Sequence, residues 1–129
     1  MRGMVILDTH ALLWWAVEPK RLSQAAAHAI SDADRLGVPT IVFWELSVLL
    51  RKRRIALDIP LREWVDRVCS NPRLMALPLT TGIALSADGL PMHPDPVDRF
   101  IVATAVAHHA PLVTKDRLLR ALKMIESVW

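Results

Sequence analysis

Cysteine, long apolar runs and low-complexity segments are scarce or missing in this sequence. Cys69 is the sole cysteine, which excludes an intrachain disulfide framework and a zinc site built on cysteines. The apolar runs are far shorter than the ~20 residues that a membrane-spanning helix needs. The N-terminal stretch MRGMVILD has no apolar segment typical of a secretion signal. We therefore expect a cytoplasmic protein that makes no membrane contact.

Size and charge bear on the number of domains and on the kind of partner. Hydrophobic residues make up 53% of the 129 residues, which favours a single domain over residues 1–129 with a large core. The 16 basic and 13 acidic residues give a net charge of +3. A charge of this size is compatible with a polyanionic partner but does not require one.

Short apolar runs alternate with helical patterns along the chain. Strands are predicted at 4–8, 38–43, 73–80, 111–116 and 123–129. Helices are predicted at 9–18 with Thr9 as N-cap, 23–35 with Ser23 as N-cap, 44–54, 61–69, 81–89 closed by Gly89, and Pro96 to about Ala110. This alternation predicts an α/β sandwich with a central, mainly parallel sheet flanked by helices.

Acidic residues stand where these strands end or where the next helix begins. Asp8 ends the first strand and Asp116 ends the strand at 111–116. Glu45 follows the second strand in the first turn of its helix, and Asp98 begins the helix that leads to the strand at 111–116. Ligands of such sheets bind beyond the carboxyl ends of the strands. Four acids are therefore predicted near one sheet edge.

Each acid also has a simpler explanation. An Asp after a strand often caps a helix, and a Glu in a first turn complements the helix dipole. Converging carboxylates, however, repel and raise one another's pKa unless a cation lies between them. Mg²⁺ and Mn²⁺ suit such a cluster, because these hard cations take oxygen ligands, keep several waters and can hold a substrate phosphate.

Four segments in this order resemble the PIN-domain nucleases, and most of all the small VapC-type toxins of bacterial toxin–antitoxin pairs. The segments are VILDTHALLWW, WELSVLLRK, PDPVDRFIVATA and LVTKD, and the resemblance covers essentially the whole chain. It implies a Mg²⁺- or Mn²⁺-dependent endoribonuclease that forms a homodimer and is silenced by a small antitoxin encoded beside it.

The resemblance also implies roles for individual residues. The family's acidic positions fall on Asp8, Glu45, Asp98 and Asp116, of which Asp8, Asp98 and Asp116 would bind the metal. Glu45 would orient or deprotonate the attacking water, so that hydrolysis leaves a 5′-phosphate and a 3′-hydroxyl. The supporting positions are Thr9, Asp95 and Thr114.

The segment HPDPVD at 93–98 departs from the family at one position. The family has His-Arg-Asp-Pro here, whereas this chain has Pro94 in place of the arginine, which puts any phosphate contact of that arginine in doubt. Pro96 suits the first turn of a helix. Asp95 is then predicted as the N-cap and Asp98 as the third helical residue, aimed at the sheet edge.

Other residues have two interpretations each. Arg51, Lys52, Arg53 and Arg54 could contact RNA phosphates, or could be solvated cations at a helix C-terminus. Tryptophans at helical spacing generally pack in the core, but Trp14 and Trp15 are adjacent and cannot share one face, so at least one is expected at a dimer or antitoxin surface. Cys69 is predicted to be a small core residue.

Three other functions remain open. A PIN fold could be an RNA-processing nuclease outside toxin systems, or a non-catalytic module that binds RNA or protein; the complete set of acids argues against the second. A receiver domain or a haloacid-dehalogenase-like phosphatase would need a further acid close to Asp8, whereas this chain has Asp8-Thr9-His10.

Overall fold

The computed structural model describes residues 3–129, which form one α/β sandwich around a parallel sheet. The five strands are β1 (Met4–Leu7), β2 (Arg35–Pro39), β3 (Leu74–Leu77), β4 (Leu112–Val113) and β5 (Ser127–Val128), in the order β3-β2-β1-β4-β5. The helices are α1 (Thr9–Val17), α2 (Gln24–Asp32), α3 (Thr40–Arg51), α4 (Leu61–Cys69), α5 (Thr81–Asp88), α6 (Pro96–His108) and α7 (Arg117–Arg120). The predicted fold class is confirmed.

The central strand β1 shows why helices cover both faces of the sheet. Consecutive residues of a strand point to opposite faces, and Val5, Ile6 and Leu7 are all buried. A strand with one face in water would instead alternate apolar and polar residues. The apolar run predicted as a buried strand therefore fits a sheet between two helical layers.

The sheet brings the ends of β1 and β4 together. Leu7 pairs with Val113 in parallel register, and the amide of Asp8 donates to the carbonyl of Val113 at 3.3 Å. Because all the strand pairs are parallel, their carboxyl ends lie along one edge of the sheet. The residues that follow β1 and β4 are consequently neighbours at that edge.

The second strand and its helix lie earlier in the chain than predicted. Thr40–Phe43, predicted as strand, form the first turn of α3. These residues have high strand propensity, but Val42 and Leu46 are four apart and fully buried, as one face of a helix requires. Glu45 therefore lies in the second turn of α3, and its predicted place in the first turn was wrong.

The other predicted elements are present, several of them shorter. Helix α4 has the predicted bounds of 61–69, and the amide of Ala26 donates to Ser23, the predicted N-cap of α2. The predicted N-cap Thr9 was wrong, because the amide of Ala11 donates at 2.8 Å to Asp8 instead. Helix α7 was not predicted, since four residues show no periodicity.

Two further predictions concern single residues. Cys69 was predicted to lie in the core and is exposed; it follows the buried Trp64 by five residues, about 140° around α4. Trp14 is buried and Trp15 is half-buried against the same core, whereas Trp44 is 56% exposed. A surface role for Trp14 or Trp15 stays a prediction.

Across residues 3–129, the helices are too short or too polar to cross a membrane.

Candidate active site

Four carboxylates from four segments define what we call the acidic cluster: Asp8, Glu45, Asp98 and Asp116. Asp8 follows β1 and caps α1, while Asp116 lies three residues after the end of β4 and caps α7, where it accepts from the amide of Leu118 at 2.8 Å. Asp98 is the third residue of α6, and Glu45 lies in the middle of α3. The strand ends and the helix starts thus position these side chains.

The electrostatics of Asp98 indicate that the cluster converges. Burial raises the pKa of Asp98 to about 7, assisted by the negative charges of Asp95, Asp116, Glu45 and Asp8. Each of these groups must lie within electrostatic range for its charge to act on Asp98. Asp8, Glu45 and Asp116 thus lie within electrostatic range of Asp98.

Asp8 lies in a different environment within the same cluster. Burial raises its pKa, and the charge of Glu45 acts in the same direction. Hydrogen bonds from the Thr114 hydroxyl and the Ala11 amide, together with the charge of His10, lower it. The two hydrogen bonds orient the Asp8 carboxylate and stabilise its ionised form.

Two buried threonines connect the acids to the sheet edge. The Thr9 hydroxyl donates to Oε1 of Glu45, which links the first residue of α1 to α3. The Thr114 hydroxyl accepts from the amide of Asp116 at 3.1 Å and also contacts Asp8. Both supporting threonines therefore contact members of the acidic cluster.

Asp95 is the N-cap of α6, as predicted. Its carboxylate accepts from the amides of Val97 at 3.0 Å and Asp98 at 3.3 Å. These amides have no partner inside the helix, so the cap satisfies donors that would otherwise lack an acceptor. Asp95 is exposed at the rim of the cluster, where its charge also raises the pKa of Asp98.

The donors of the cluster are the kind that a hard divalent cation takes. They are carboxylate and hydroxyl oxygens, with no thiolate among them. Within residues 3–129, no three acidic, histidine or cysteine side chains stand close enough to enclose an ion by themselves. Mg²⁺ binds through one or two carboxylates and keeps several waters, so the open arrangement fits a hydrated Mg²⁺ or Mn²⁺.

His93 and Arg99 were not predicted as site residues, although both lie beside Asp98. Nε2 of His93 is 3.3 Å from Oδ2 of Asp98. The guanidinium of Arg99 donates to five main-chain carbonyls between residues 87 and 93. The signal that could have identified His93 is its place in a proline-rich segment that cannot be helical, five residues before Asp98.

The predicted RNA-contacting residues are exposed but lie apart from the acids. Arg51 is the last residue of α3, six residues or roughly 9 Å beyond Glu45 along the helix. Arg53 has a left-handed backbone with φ of 57°, where the chain leaves the helix. In the part of the chain that the structure describes, 51–54 form no ion pair, so their charges are free for a polyanion.

A large groove lies elsewhere in the molecule. It has a volume of about 700 Å³ and lies between the end of α1, the loop at 56–59 and α4. Its walls include Trp15, Leu57, Ile59 and Trp64 and contain none of the acidic cluster. The groove and the candidate active site are therefore separate surfaces.

Comparison with known proteins gives a family and a relative of known name. The model of the PIN domain family matches residues 5–123. The chain is 44% identical over 119 residues to Ribonuclease VapC22 of Mycobacterium tuberculosis, an alignment that spans 91% of this chain and 90% of that protein.

Solved structures share the fold at much lower identity. One is VapBC2 from Rickettsia felis bound to a DNA fragment from its promoter, with a TM-score of 0.69, 13% identity and 96% of each chain covered. Another is a toxin–antitoxin complex from Klebsiella pneumoniae, with a TM-score of 0.67, 17% identity and 94% of each chain covered. These likenesses concern the fold alone.

Proposed function

Because this chain belongs to the PIN domain family and, within it, to the VapC type, we propose that it is a metal-dependent endoribonuclease that acts as the toxin of a toxin–antitoxin pair. One observation carries the proposal. Burial and the charges of Asp95 and of Asp116, Glu45 and Asp8, which come from three other segments, raise the pKa of Asp98 near the carboxyl edge of a parallel sheet. The name of the relative from M. tuberculosis, a ribonuclease, supports the same activity.

A divalent cation is the proposed cofactor. Asp8, Asp98 and Asp116 would hold Mg²⁺ or Mn²⁺, and the bound cation supplies an activated water and positive charge beside the scissile phosphate. Burial and the repulsion among the carboxylates raise the pKa of Asp98, which supports this assignment because a bound cation would offset the unfavourable negative charge. The hydroxyls of Thr9 and Thr114 would fix the acids around it.

Glu45, the remaining acid of the cluster, would accept the proton of the attacking water. Glu45 orients the attacking water and takes its proton as the water oxygen bonds to phosphorus. Oε1 of Glu45 accepts from the Thr9 hydroxyl, which sets the direction of the carboxylate. The bond from phosphorus to the 3′-oxygen breaks, so the products carry a 5′-phosphate and a 3′-hydroxyl.

The proposed partners are RNA, an antitoxin and a second copy of the chain. The antitoxin is a small protein encoded beside the toxin, in keeping with the toxin–antitoxin structures that share the fold. A homodimer is supported by two exposed apolar side chains, Trp44 on α3 and Leu85 on α5, two helices that both pack on α6. The proposal places the chain in the cytoplasm, where its RNA substrate is.

Substitution of single acids tests the activity. Asp8→Asn and Asp98→Asn each should lower the rate of Mg²⁺-dependent cleavage of total cellular RNA by at least ~100-fold, because each removes one charged ligand. Asp34→Asn is the matched control, since Asp34 is exposed and precedes β2 at the opposite edge of the sheet. Cleavage products would be separated on denaturing gels, and folding would be checked by circular dichroism.

The outcomes separate the proposed enzyme from its alternatives. Full activity in both acid variants would remove the acidic cluster from the mechanism. RNA binding without cleavage by the wild-type chain would favour a non-catalytic RNA-binding module. Cleavage without growth arrest on expression, and without a short antitoxin reading frame beside the gene, would favour an RNA-processing nuclease.

A further inference from the structure

His93 lies in the loop before α6, with its ring between Asp95 and Asp98. We propose that His93 is a positioning residue that holds one oxygen of the Asp98 carboxylate through its Nε2–H. This inference rests on the proposed metal site, to which it adds a residue outside the acidic cluster.

The hydrogen bond at Nδ1 fixes the state of the His93 ring. The amide of Asp95 donates to Nδ1 at 3.4 Å, so Nδ1 is the acceptor and carries no proton. A neutral imidazole with an acceptor at Nδ1 carries its proton on Nε2. Nε2 of His93 is therefore a donor.

This donor has Asp98 as its neighbour. Nε2 is buried, lies 3.3 Å from Oδ2 of Asp98, and has no aligned hydrogen-bond acceptor among residues 3–129. A buried N–H without an acceptor is unfavourable, and a small turn of the Asp98 carboxylate would supply one. Holding Oδ2 in this way leaves the other oxygen of Asp98 free for a ligand.

Arg99 and Pro94 keep the imidazole in place. The guanidinium of Arg99 donates to the carbonyls of Ala87, Asp88, Leu90, Met92 and His93 at distances from 2.7 to 3.1 Å. Pro94 fixes its own φ angle directly after His93. The loop that carries His93 is thus bound along its length to the residue next to Asp98.

The consequence concerns the affinity for the cation. A carboxylate that a second group holds in one orientation loses less conformational freedom when it binds a metal. In other metalloproteins, loss of a group that hydrogen-bonds a metal ligand typically weakens metal binding by about 10–100-fold. We therefore expect His93 to contribute to cation affinity without contacting the cation.

The first measurement needs neither metal nor RNA. Proton NMR of the metal-free protein at pH 8 should show one imidazole Nε2–H resonance protected from exchange, because the other four histidines are exposed. The resonance should disappear in His93→Gln and in Asp98→Ala. Its absence from the wild-type spectrum, or its persistence in Asp98→Ala, would overturn the contact.

The second measurement is the affinity for Mn²⁺ alone, by electron paramagnetic resonance. His93→Ala should raise the dissociation constant about 10–100-fold. His93→Gln should restore most of the affinity, because its amide also donates, and His28→Ala on the exposed side of α2 should leave it unchanged. Thermal melting in the absence of metal would verify that all variants fold.

The outcomes distinguish this inference from the proposed function. Wild-type Mn²⁺ affinity in His93→Ala would refute the positioning role, even if the chain cleaves RNA. A loss in His93→Ala that His93→Gln does not repair would also refute it, since the donor would then be irrelevant. If the wild-type chain binds no Mn²⁺, the metal chemistry of the proposed function falls together with this inference.

Discussion

Asp98 is the residue on which the charges of the acidic cluster act most strongly. Its pKa is raised from 3.8 to about 7 by burial and by four neighbouring carboxylates. The folded state therefore binds a proton more tightly than the unfolded state does. The resulting stability is present below the unfolded pKa and is lost as the pH rises through about 7.

Removal of this charge should stabilise the metal-free protein. In EDTA at pH 8, Asp98→Asn should melt a few degrees above the wild type, because the substitution removes a partly buried charge and its repulsion with the other acids. The difference should shrink towards ~pH 4, where Asp98 is protonated in the folded state. Differential scanning calorimetry across this pH range would measure it.

Adding Mg²⁺ to the same experiment should favour the wild type over Asp98→Asn. Mg²⁺ should raise the melting temperature of the wild type more than that of Asp98→Asn, because a ligand that binds only the folded state stabilises it. Asp34→Asn should behave like the wild type throughout. A lower melting temperature for metal-free Asp98→Asn at pH 8 would show that the cluster does not destabilise the fold.

Helix α6 positions Asp98 near its start and packs its buried face in the core. Asp95 and Pro96 begin the helix, and Ile101, Val102 and Ala105 anchor it in the core. Its C-terminus is less favourable, because His109 adopts a left-handed backbone with φ of 49°. Glycine is the residue best suited to this conformation.

Replacement of His109 by glycine should therefore stabilise the protein. We expect His109→Gly to raise the free energy of unfolding by ~0.5–1 kcal/mol, measured by urea denaturation. His108→Gly is the control, because His108 is still helical and glycine there should destabilise by ~0.5–1 kcal/mol. Destabilisation by both substitutions would mean that the His109 side chain makes a contribution that outweighs the backbone conformation.

At the scale of elements, periodicity predicted most of the fold. The amphipathic pattern of 61–69 predicted the bounds of α4, and the run at 4–8 predicted β1, which ends one residue earlier at Leu7. Thr40–Phe43 were assigned to a strand because local propensity does not show that Pro39 ends the strand and that Val42 packs with Leu46. Helix α7 has too few residues for any periodic signal.

The candidate site was predictable to a similar extent. Asp8 and Asp116 follow strands and Glu45 and Asp98 were placed near helix starts, so the edge rule predicted all four acids near one sheet edge. The resemblance to PIN-domain nucleases then implied their roles. The contact between His93 and Asp98 was not predictable, because it depends on how the loop before α6 folds back. Hydrogen bonds from the Arg99 guanidinium to main-chain carbonyls hold that loop, and no residue pattern encodes them directly.

At the scale of the whole molecule, the basic run at 51–54 is the candidate surface for RNA binding. Replacing Arg51, Arg53 and Arg54 by glutamine should weaken binding of single-stranded RNA and lower the salt slope by about 2, if each arginine neutralises one phosphate. Fluorescence anisotropy with the inactive Asp8→Asn background, in EDTA, would measure the slope.

The control replaces three exposed cations elsewhere, namely Lys20, Arg62 and Lys123, and keeps the net charge equal. An equal loss of RNA affinity in both triple variants would mean that only the overall charge matters. If the triple variant at 51–54 keeps its RNA affinity but has a lower melting temperature, the basic run stabilises the C-terminus of α3 and does not bind RNA.

The chemistry of the cut ends tests the central claim most directly. RNA fragments produced by the purified wild-type chain with Mg²⁺ should all carry a 5′-phosphate and a 3′-hydroxyl, as sequencing of adaptor-ligated ends would detect, and none should form in EDTA. Fragments ending in a 2′,3′-cyclic phosphate, or cleavage that persists in EDTA, would contradict hydrolysis by metal-activated water at the acidic cluster.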